Sequence, residues 1–297
     1  MKIAITGGTG LLGSYLLRCL NEKDVHKPIV LSRRKSNPHY NVETRATDYS
    51  VSSLIDVLSD VDTVVHLAAQ RGSYANLKDY QMNTDITQNL YEACRIKKIL
   101  NIVYASTIAV YSRDLPLPWN EQHPPAPKTM YGISKVCSEH LGSLYTRQYD
   151  LKVKNLRFPP LFGIINERDK METRMISKFM LQAILKETLV LFSRSNAQRE
   201  FLYAKDAAQA ILSAVEAKAI QGTFNVGSGE ALTNQEVAER INRAFHNEGN
   251  LRIEDREAKL EESSYMTSEK AIIQLGFKAK YCLYEAMEDI HKEMQYV

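Results

Sequence analysis

Two hydrophobic periods alternate along the first half of the chain. KIAIT, starting at Lys2, is a short apolar run, and a pattern of helical spacing opens at about Leu11. PIVLS, VDTVVHLA and NIVYAS repeat the strand pattern, with helical segments from about Asn76 to Ile96 and from about Tyr131 to Gln148. LKVKNLRF follows, and GTFNVGS comes much later. Apolar strands separated by helices of crossover length predict an α/β fold, a parallel sheet covered by helices on both faces. After Phe162 the pattern is less regular and more charged, with helical stretches near Arg174 to Lys186, Asn234 to Phe245 and Tyr284 to Met294. These predict a smaller second part that closes over the sheet.

One segment breaks the alternation. RDLPLPWNEQHPPAPK, Arg113 to Lys128, holds five of the nine prolines and the only tryptophan. Proline lacks an N–H and breaks both helix and interior strand, so a long surface loop is expected between strand and helix. Loops at that end of a parallel strand line ligand crevices.

Between the first strand and the first helix, KIAITGGTGLLGS spaces Gly7, Gly10 and Gly13 at intervals of three. Glycine allows the tight turn, the approach of a pyrophosphate and close packing of the helix, whose N-terminus offers N–H groups to the anion. The flanking strand and helix are the context that makes a dinucleotide site of such a loop, and the fold a Rossmann-type doubly wound parallel sheet. Leu11 and Leu12 belong to the same loop.

Composition changes this picture little. A net charge of +3 from 38 basic and 35 acidic residues, not gathered into a block, implies no nucleic-acid partner and no membrane surface. No apolar run approaches the roughly 18 residues a membrane span requires. Cys19, Cys94, Cys137 and Cys282 lack metal spacing, so no metal site is expected and the thiols read as reduced. A cytoplasmic location is the expectation that follows.

The glycine loop together with VVHLAA, STIAVY and YGISK resembles the extended short-chain dehydrogenase/reductase family, the NAD(P)-dependent sugar-nucleotide epimerases and dehydratases. The similarity extends to QREFLYAKDAAQA and to GTFNVGSGEALTNQEVAERI, and so covers nearly the whole chain. It implies a dinucleotide-binding domain over residues 1–162, to which 200–229 return. A discontinuous α/β substrate-binding part would comprise 163–199 and 230–297.

Tyr131 and Lys135 lie four apart on a predicted helix, hence on one face. A tyrosine of ordinary pKa, about 10, is a poor base at neutral pH, but a neighbouring ammonium favours the phenolate. Tyr131 is therefore the candidate acid/base, and the resemblance implies that Lys135 also holds the nicotinamide ribose. It assigns the third catalytic position to Thr107, whose hydroxyl would hold the sugar at the reacting carbon, with Ser106 a supporting neighbour. Dehydratases of the family carry Asp-Glu directly after this position. Here Ile108 and Ala109 stand there, which argues against elimination and leaves epimerisation or keto reduction.

Further cofactor contacts follow from the resemblance: Asp48 at the adenine, and Leu67, Ala68 and Ala69 along the dinucleotide. The second strand ends in Ser32, followed by Arg33 and Arg34, where NAD-preferring sites carry an acidic residue. The arginines would suit a 2′-phosphate and so NADP, or they form a solvated basic loop; NAD is the expected cofactor and NADP the alternative. On the substrate side the resemblance points to Asn83, Leu191 and Arg199, the last for a nucleotide diphosphate. Pro160 replaces a family asparagine, so the sugar is left open. The leading expectation is a UDP-hexose or UDP-N-acetylhexosamine 4-epimerase working through a 4-keto sugar. An NADPH-dependent 4-ketoreductase is the alternative, and a non-catalytic dinucleotide sensor a third reading. A homodimer through the helices after Asn76 and Tyr131 is also implied.

Overall fold

The structure, a computed structural model, describes residues 1–33, 42–70, 77–164, 175–192, 195–254 and 262–295. Arg34, and the helix starts expected at Asn76 and Arg174, lie outside them. The first half runs β1 (Lys2–Thr6), α1 (Leu11–Lys23), β2 (Lys27–Ser32), β3 (Glu43–Ala46), α2 (Val51–Val57), β4 (Thr63–His66), α3 (Leu77–Lys97), β5 (Asn101–Thr107), α4 (Met130–Tyr149) and β6 (Lys152–Phe158). There follow β7 (Leu161–Phe162), α5 (Met175–Ile184), β8 (Leu189–Leu191), β9 (Arg199–Glu200), β10 (Leu202–Tyr203), α6 (Ala204–Glu216), β11 (Gly222–Asn225), β12 (Ala231–Leu232), α7 (Asn234–Ala244), β13 (Leu251–Ile253), α8 (Glu269–Leu275) and α9 (Leu283–Gln295).

Seven strands pair in parallel in the order β11-β6-β5-β4-β1-β2-β3, a Rossmann-type sheet. Strand side chains alternate between faces, so each face builds its own core. Ile3 and Ile5 of β1 join Leu16 and Leu20 of α1 and the alanine-rich α6, in a core that continues into α7 and α9 through Ile241 and Ile290. Ala4 points the other way, to Leu54 of α2, Leu90 and Cys94 of α3, and Tyr145 of α4. Three two-stranded pairs, β7 with β10, β8 with β13 and β9 with β12, lie outside the main sheet.

Three elements depart from the sequence pattern for physical reasons. VDTVVHLA forms a strand only over Thr63–His66, because the N–H groups of Leu67 and Ala68 turn inward to Thr6 Oγ1 at 3.2 and 3.1 Å. The polar strand β3 pairs only with β2, at the sheet edge, where no apolar alternation is needed. The loop 113–128 is not wholly superficial: Trp119 is buried with Ile108, Val110, Tyr111 and Met266. Its backbone is laced to the C-terminal part, Trp119 N–H donating to Tyr265 O at 3.1 Å and Thr267 N–H to Trp119 O at 2.9 Å.

α4 crosses close to the end of β5. Thr129 caps it, its hydroxyl accepting from Gly132 N–H at 3.0 Å. A Cβ on Gly132 would stand 2.5 Å from the Ala109 carbonyl oxygen and 2.7 Å from Pro127 Cβ. Alanine gains about 1 kcal/mol of helix propensity over glycine, but overpacking against backbone costs about 1–3 kcal/mol. Gly132→Ala is therefore expected to destabilise the protein by about 1 kcal/mol or more, read as a lowered urea midpoint; a raised midpoint would show that the contact has slack.

Candidate active site

Parallel strands deliver their last residues to one edge of the sheet, where ligands of open α/β sheets bind. Thr6, His66, Thr107 and Phe158 end β1, β4, β5 and β6 there. A cleft of ≈ 220 Å³ opens at this edge, and its lining includes Gly7, Gly10, Leu11, Leu12, Gly13, Leu67, Ala69, Thr107, Tyr131 and Lys135. Ala68 sits beneath, its N and Cα within 2.9 Å of where a Cβ of Gly7 would lie.

The turn before α1 is shaped for close approach. Gly7 has φ +70°, a left-handed conformation that side chains resist, and a Cβ on Gly13 would lie 2.4 Å from Gly7 O. The N-cap, Gly10, is extended and makes no side-chain capping bond. The first turn of α1 thus presents backbone N–H groups to the cleft, and these residues fit a dinucleotide pyrophosphate. Behind the turn is a network the sequence did not announce. His66 Nδ1 lies 2.6 Å from Thr6 Oγ1 and Nε2 lies 3.1 Å from Thr87 Oγ1. Thr87 donates its own hydroxyl proton to Asn83 O, at 2.7 Å, so the imidazole must donate from Nε2 and accept at Nδ1. Burial, and secondarily the charge of Lys135, push the His66 pKa down to about 3, which keeps the ring neutral. It fastens the β1 and β4 turns together.

Tyr131, Lys135 and Thr107 at the end of β5 border the same cleft. Lys135 is buried, donates from Nζ to Ala105 O at 2.6 Å, and lies 4.6 Å from the centre of the Tyr104 ring and 5.7 Å from that of Tyr131. Thr107 Oγ1 accepts from Ala109 N–H at 3.2 Å, capping a 3₁₀ turn over Ile108–Val110. The Ser106 hydroxyl is turned to another partner, donating to Glu139 Oε1 at 2.5 Å. Glu139 and Arg157 form a bidentate pair at 2.9 and 2.6 Å, both almost fully buried. Sequence reasoning passed over them, although a charged residue near the end of an apolar strand was the available signal for Arg157.

The other candidates spread more widely. Arg33 and Asp48 line a second cleft of ≈ 340 Å³ with Tyr49, Met82 and Asn89, beyond the end of β2. Hydrogen bonds donated by Ser50, first from its hydroxyl and then from its backbone N–H, lower the Asp48 carboxyl from its ordinary value. Ser32 ends β2, its carbonyl accepting from Thr47 N–H at 2.9 Å. Asn83 does not line the cleft: its amide accepts from Gln70 N–H at 2.6 Å and donates to Gln70 O at 3.0 Å, bracing that loop. Leu191 is buried in the core, and Arg199 is half-buried on β9; neither lines these two clefts. A larger cavity, ≈ 570 Å³, surrounds Glu200 and Met266 and holds none of Thr107, Tyr131 and Lys135.

Comparison with known proteins agrees with this geometry. Residues 3–227 match the model of the NAD dependent epimerase/dehydratase family. A UDP-N-acetylglucosamine 4-epimerase from Bacillus cereus is 48% identical, with a TM-score of 0.92 over 99% of both chains. A putative UDP-glucose 4-epimerase from Methanocaldococcus jannaschii is 31% identical over 80% of this chain and 81% of its own length. The UDP-glucose 4-epimerase of Thermus thermophilus, solved with NAD, is 25% identical, with a TM-score of 0.81 over 99% of both chains. With the fold, the glycine turn and the Thr107, Tyr131 and Lys135 set in place, this chain belongs to the NAD-dependent epimerase/dehydratase family.

Proposed function

We propose that the protein is a UDP-sugar 4-epimerase, acting on a UDP-hexose or UDP-N-acetylhexosamine through a transient 4-keto sugar. The observation that carries this reading is the convergence of Thr107, Tyr131 and Lys135 on one cleft beside the glycine turn. The relatives named above support it over the ketoreductase. A cytoplasmic location is part of the same reading. No described helix is long and apolar enough to cross a membrane.

NAD, when bound, supplies the acceptor and donor of hydrogen at C4. Tyr131 removes the proton of the 4-hydroxyl and returns one to the same oxygen after the sugar has turned over. Lys135, fixed by Ala105 O, keeps a positive charge beside the phenol. Thr107 holds the C4 oxygen while it passes between hydroxyl and ketone. Arg199 and the segments 163–199 and 230–297 take the nucleotide end.

The same reading includes a homodimer. Met82 and Ile96 of α3, and Ile133 and Leu144 of α4, are each more than a third exposed, and Cys137 lies on the same face of α4 by helical spacing. A second copy is the partner we assign to this stripe.

Three outcomes are expected. Nucleotide released from freshly purified protein is NAD; an empty site that prefers NADPH to NADH would favour the reductase instead. Tyr131→Phe lowers kcat for interconversion of UDP-N-acetylglucosamine and its C4 epimer by at least about 10²-fold while NAD is retained, and survival of activity would remove Tyr131 from its role. Light scattering gives twice the 33.8 kDa chain mass, and Leu144→Glu reduces it to one; a wild-type monomer at micromolar concentration refutes the dimer.

A further inference from the structure

Lys135 and Glu139 follow Tyr131 at successive turns of α4, so the three side chains leave the helix on one face. Tyr131 and Lys135 line the cleft. Glu139 lies one turn deeper and is 5% exposed. It meets Arg157, which stands opposite Ser106 in the β5–β6 register. Both carboxylate oxygens are taken: Oε1 by Ser106 Oγ and Arg157 Nε, and Oε2 by Arg157 Nη2. Arg157 Nη1 also donates to the Tyr111 hydroxyl at 2.7 Å, and that hydroxyl donates to Asn225 Oδ1 at 2.7 Å. Burial alone would lower the guanidinium's pKa, but the hydrogen bonds and charge of Glu139 prevail and raise it. Both carboxylate oxygens and all three guanidinium nitrogens thus have a partner.

These bonds run between the two elements on which the reacting groups stand. Ser106 immediately precedes Thr107 on β5, while Glu139 is on the helix that carries Tyr131 and Lys135. Arg157, on the neighbouring strand, locks the two together. A fork of planar bonds fixes rotation of α4 about its axis as well as its distance from β5, which a single hydrogen bond would not do. Lys135 reaches the same strand one residue earlier, at Ala105 O.

We propose that Glu139 and Arg157 are positioning residues that set the register of Tyr131 and Lys135 against Thr107, an inference that rests on the 4-epimerase reading of that site. They touch neither cleft. Their effect passes through the angle of α4 and the placement of Lys135 Nζ.

The test uses Glu139→Gln and the double variant Glu139→Met with Arg157→Met, both in the full-length protein. Glu139→Gln keeps volume but leaves one amide facing the guanidinium. The double variant removes both charges together, an exchange that often preserves stability, and so remains informative where the single variant folds poorly. Two readouts are taken. The first is the rate at which Lys135 is modified by acetic anhydride, followed by peptide mass spectrometry, with Lys154 as reference. Lys154 is equally buried but tied near the other end of β6 to Asn101 Oδ1 and the carbonyls of Ala217 and Ile220. The second is turnover of UDP-N-acetylglucosamine and of UDP-glucose.

Both variants are expected to expose Lys135 to acetylation at least tenfold faster while Lys154 stays protected. They should lose about 10²-fold in kcat, the scale of an ångström-sized misplacement, with KM within threefold of wild type. Equal acceleration at both lysines, or unchanged Lys135 labelling with wild-type kcat, would reduce the pair to a structural role and overturn the proposal. A wild type inactive on both sugars overturns the 4-epimerase reading instead, and that outcome is recognisable because it appears before any substitution is made.

Discussion

The approach of α4 to the sheet is the constraint on which the site depends. Its buried face is made of Gly132, Ser134, Ser138 and Gly142, interrupted by Lys135 and Glu139 and followed by Tyr145. Gly142 repeats at the far end what Gly132 does at the near one, since a Cβ there would stand 2.9 Å from Val153 Cγ1. With small residues along the contact, the helix lies close on β5 and β6, and the long polar side chains on that face each have a polar destination. Lys135 finds a backbone carbonyl and two aromatic rings, and Glu139 finds Arg157 and Ser106. The charges are therefore consequences of the close fit as well as its latch.

Energetics separates these two aspects. Removing one member of a buried ion pair costs about 3–5 kcal/mol, whereas replacing both by apolar residues is often neutral. A protein whose whole stability is about 5–15 kcal/mol gains little net stability from such a pair. What the pair provides that apolar residues would not is direction: a planar fork tolerates one orientation of the helix. The neutral His66 works in the same manner on the cofactor side. Its two ring nitrogens join Thr6 to Thr87, and Thr6 in turn holds the N–H groups of Leu67 and Ala68, so the two turns that border the cleft share one anchor.

The main strands and helices were legible because each buries a face whose period is written in apolar residues. β3 and α6 were not. β3 sits at an edge where polar Glu43, Thr44 and Arg45 suffice, and α6, whose buried face is mostly alanine, was not read as a helix although its spacing is helical. The glycine turn and the Tyr131 and Lys135 pair belong to local motifs with a recognisable spacing, while Thr107 was marked only by the resemblance; all of them border one cleft. Asn83 is bonded to the backbone of Gln70 and Leu191 is buried in the core, and sequence position does not reveal where an amide or an apolar side chain points. Glu139 with Arg157, and Thr6 with Thr87, join residues far apart in the chain and leave no local signature.

Packing also bears on why no acid or base follows Thr107. Ile108 and Ala109 do more than stand where an acid and a base would be needed. Ile108 is buried against Trp119 and Met266, and the Ala109 carbonyl is the surface against which Gly132 closes. A carboxylate at 108 would enter an apolar core, where even a neutral polar group without a partner costs roughly 2–7 kcal/mol. A longer side chain at 109 would have to be accommodated beside the carbonyl that seats α4. The loop carrying Trp119, the 3₁₀ turn and the helix are thus mutually fitted around residues that cannot move a proton. Introducing an acid or base after Thr107 would require rebuilding that small core, so the absence of a carboxylate there is a property of the packing and not only of two side chains.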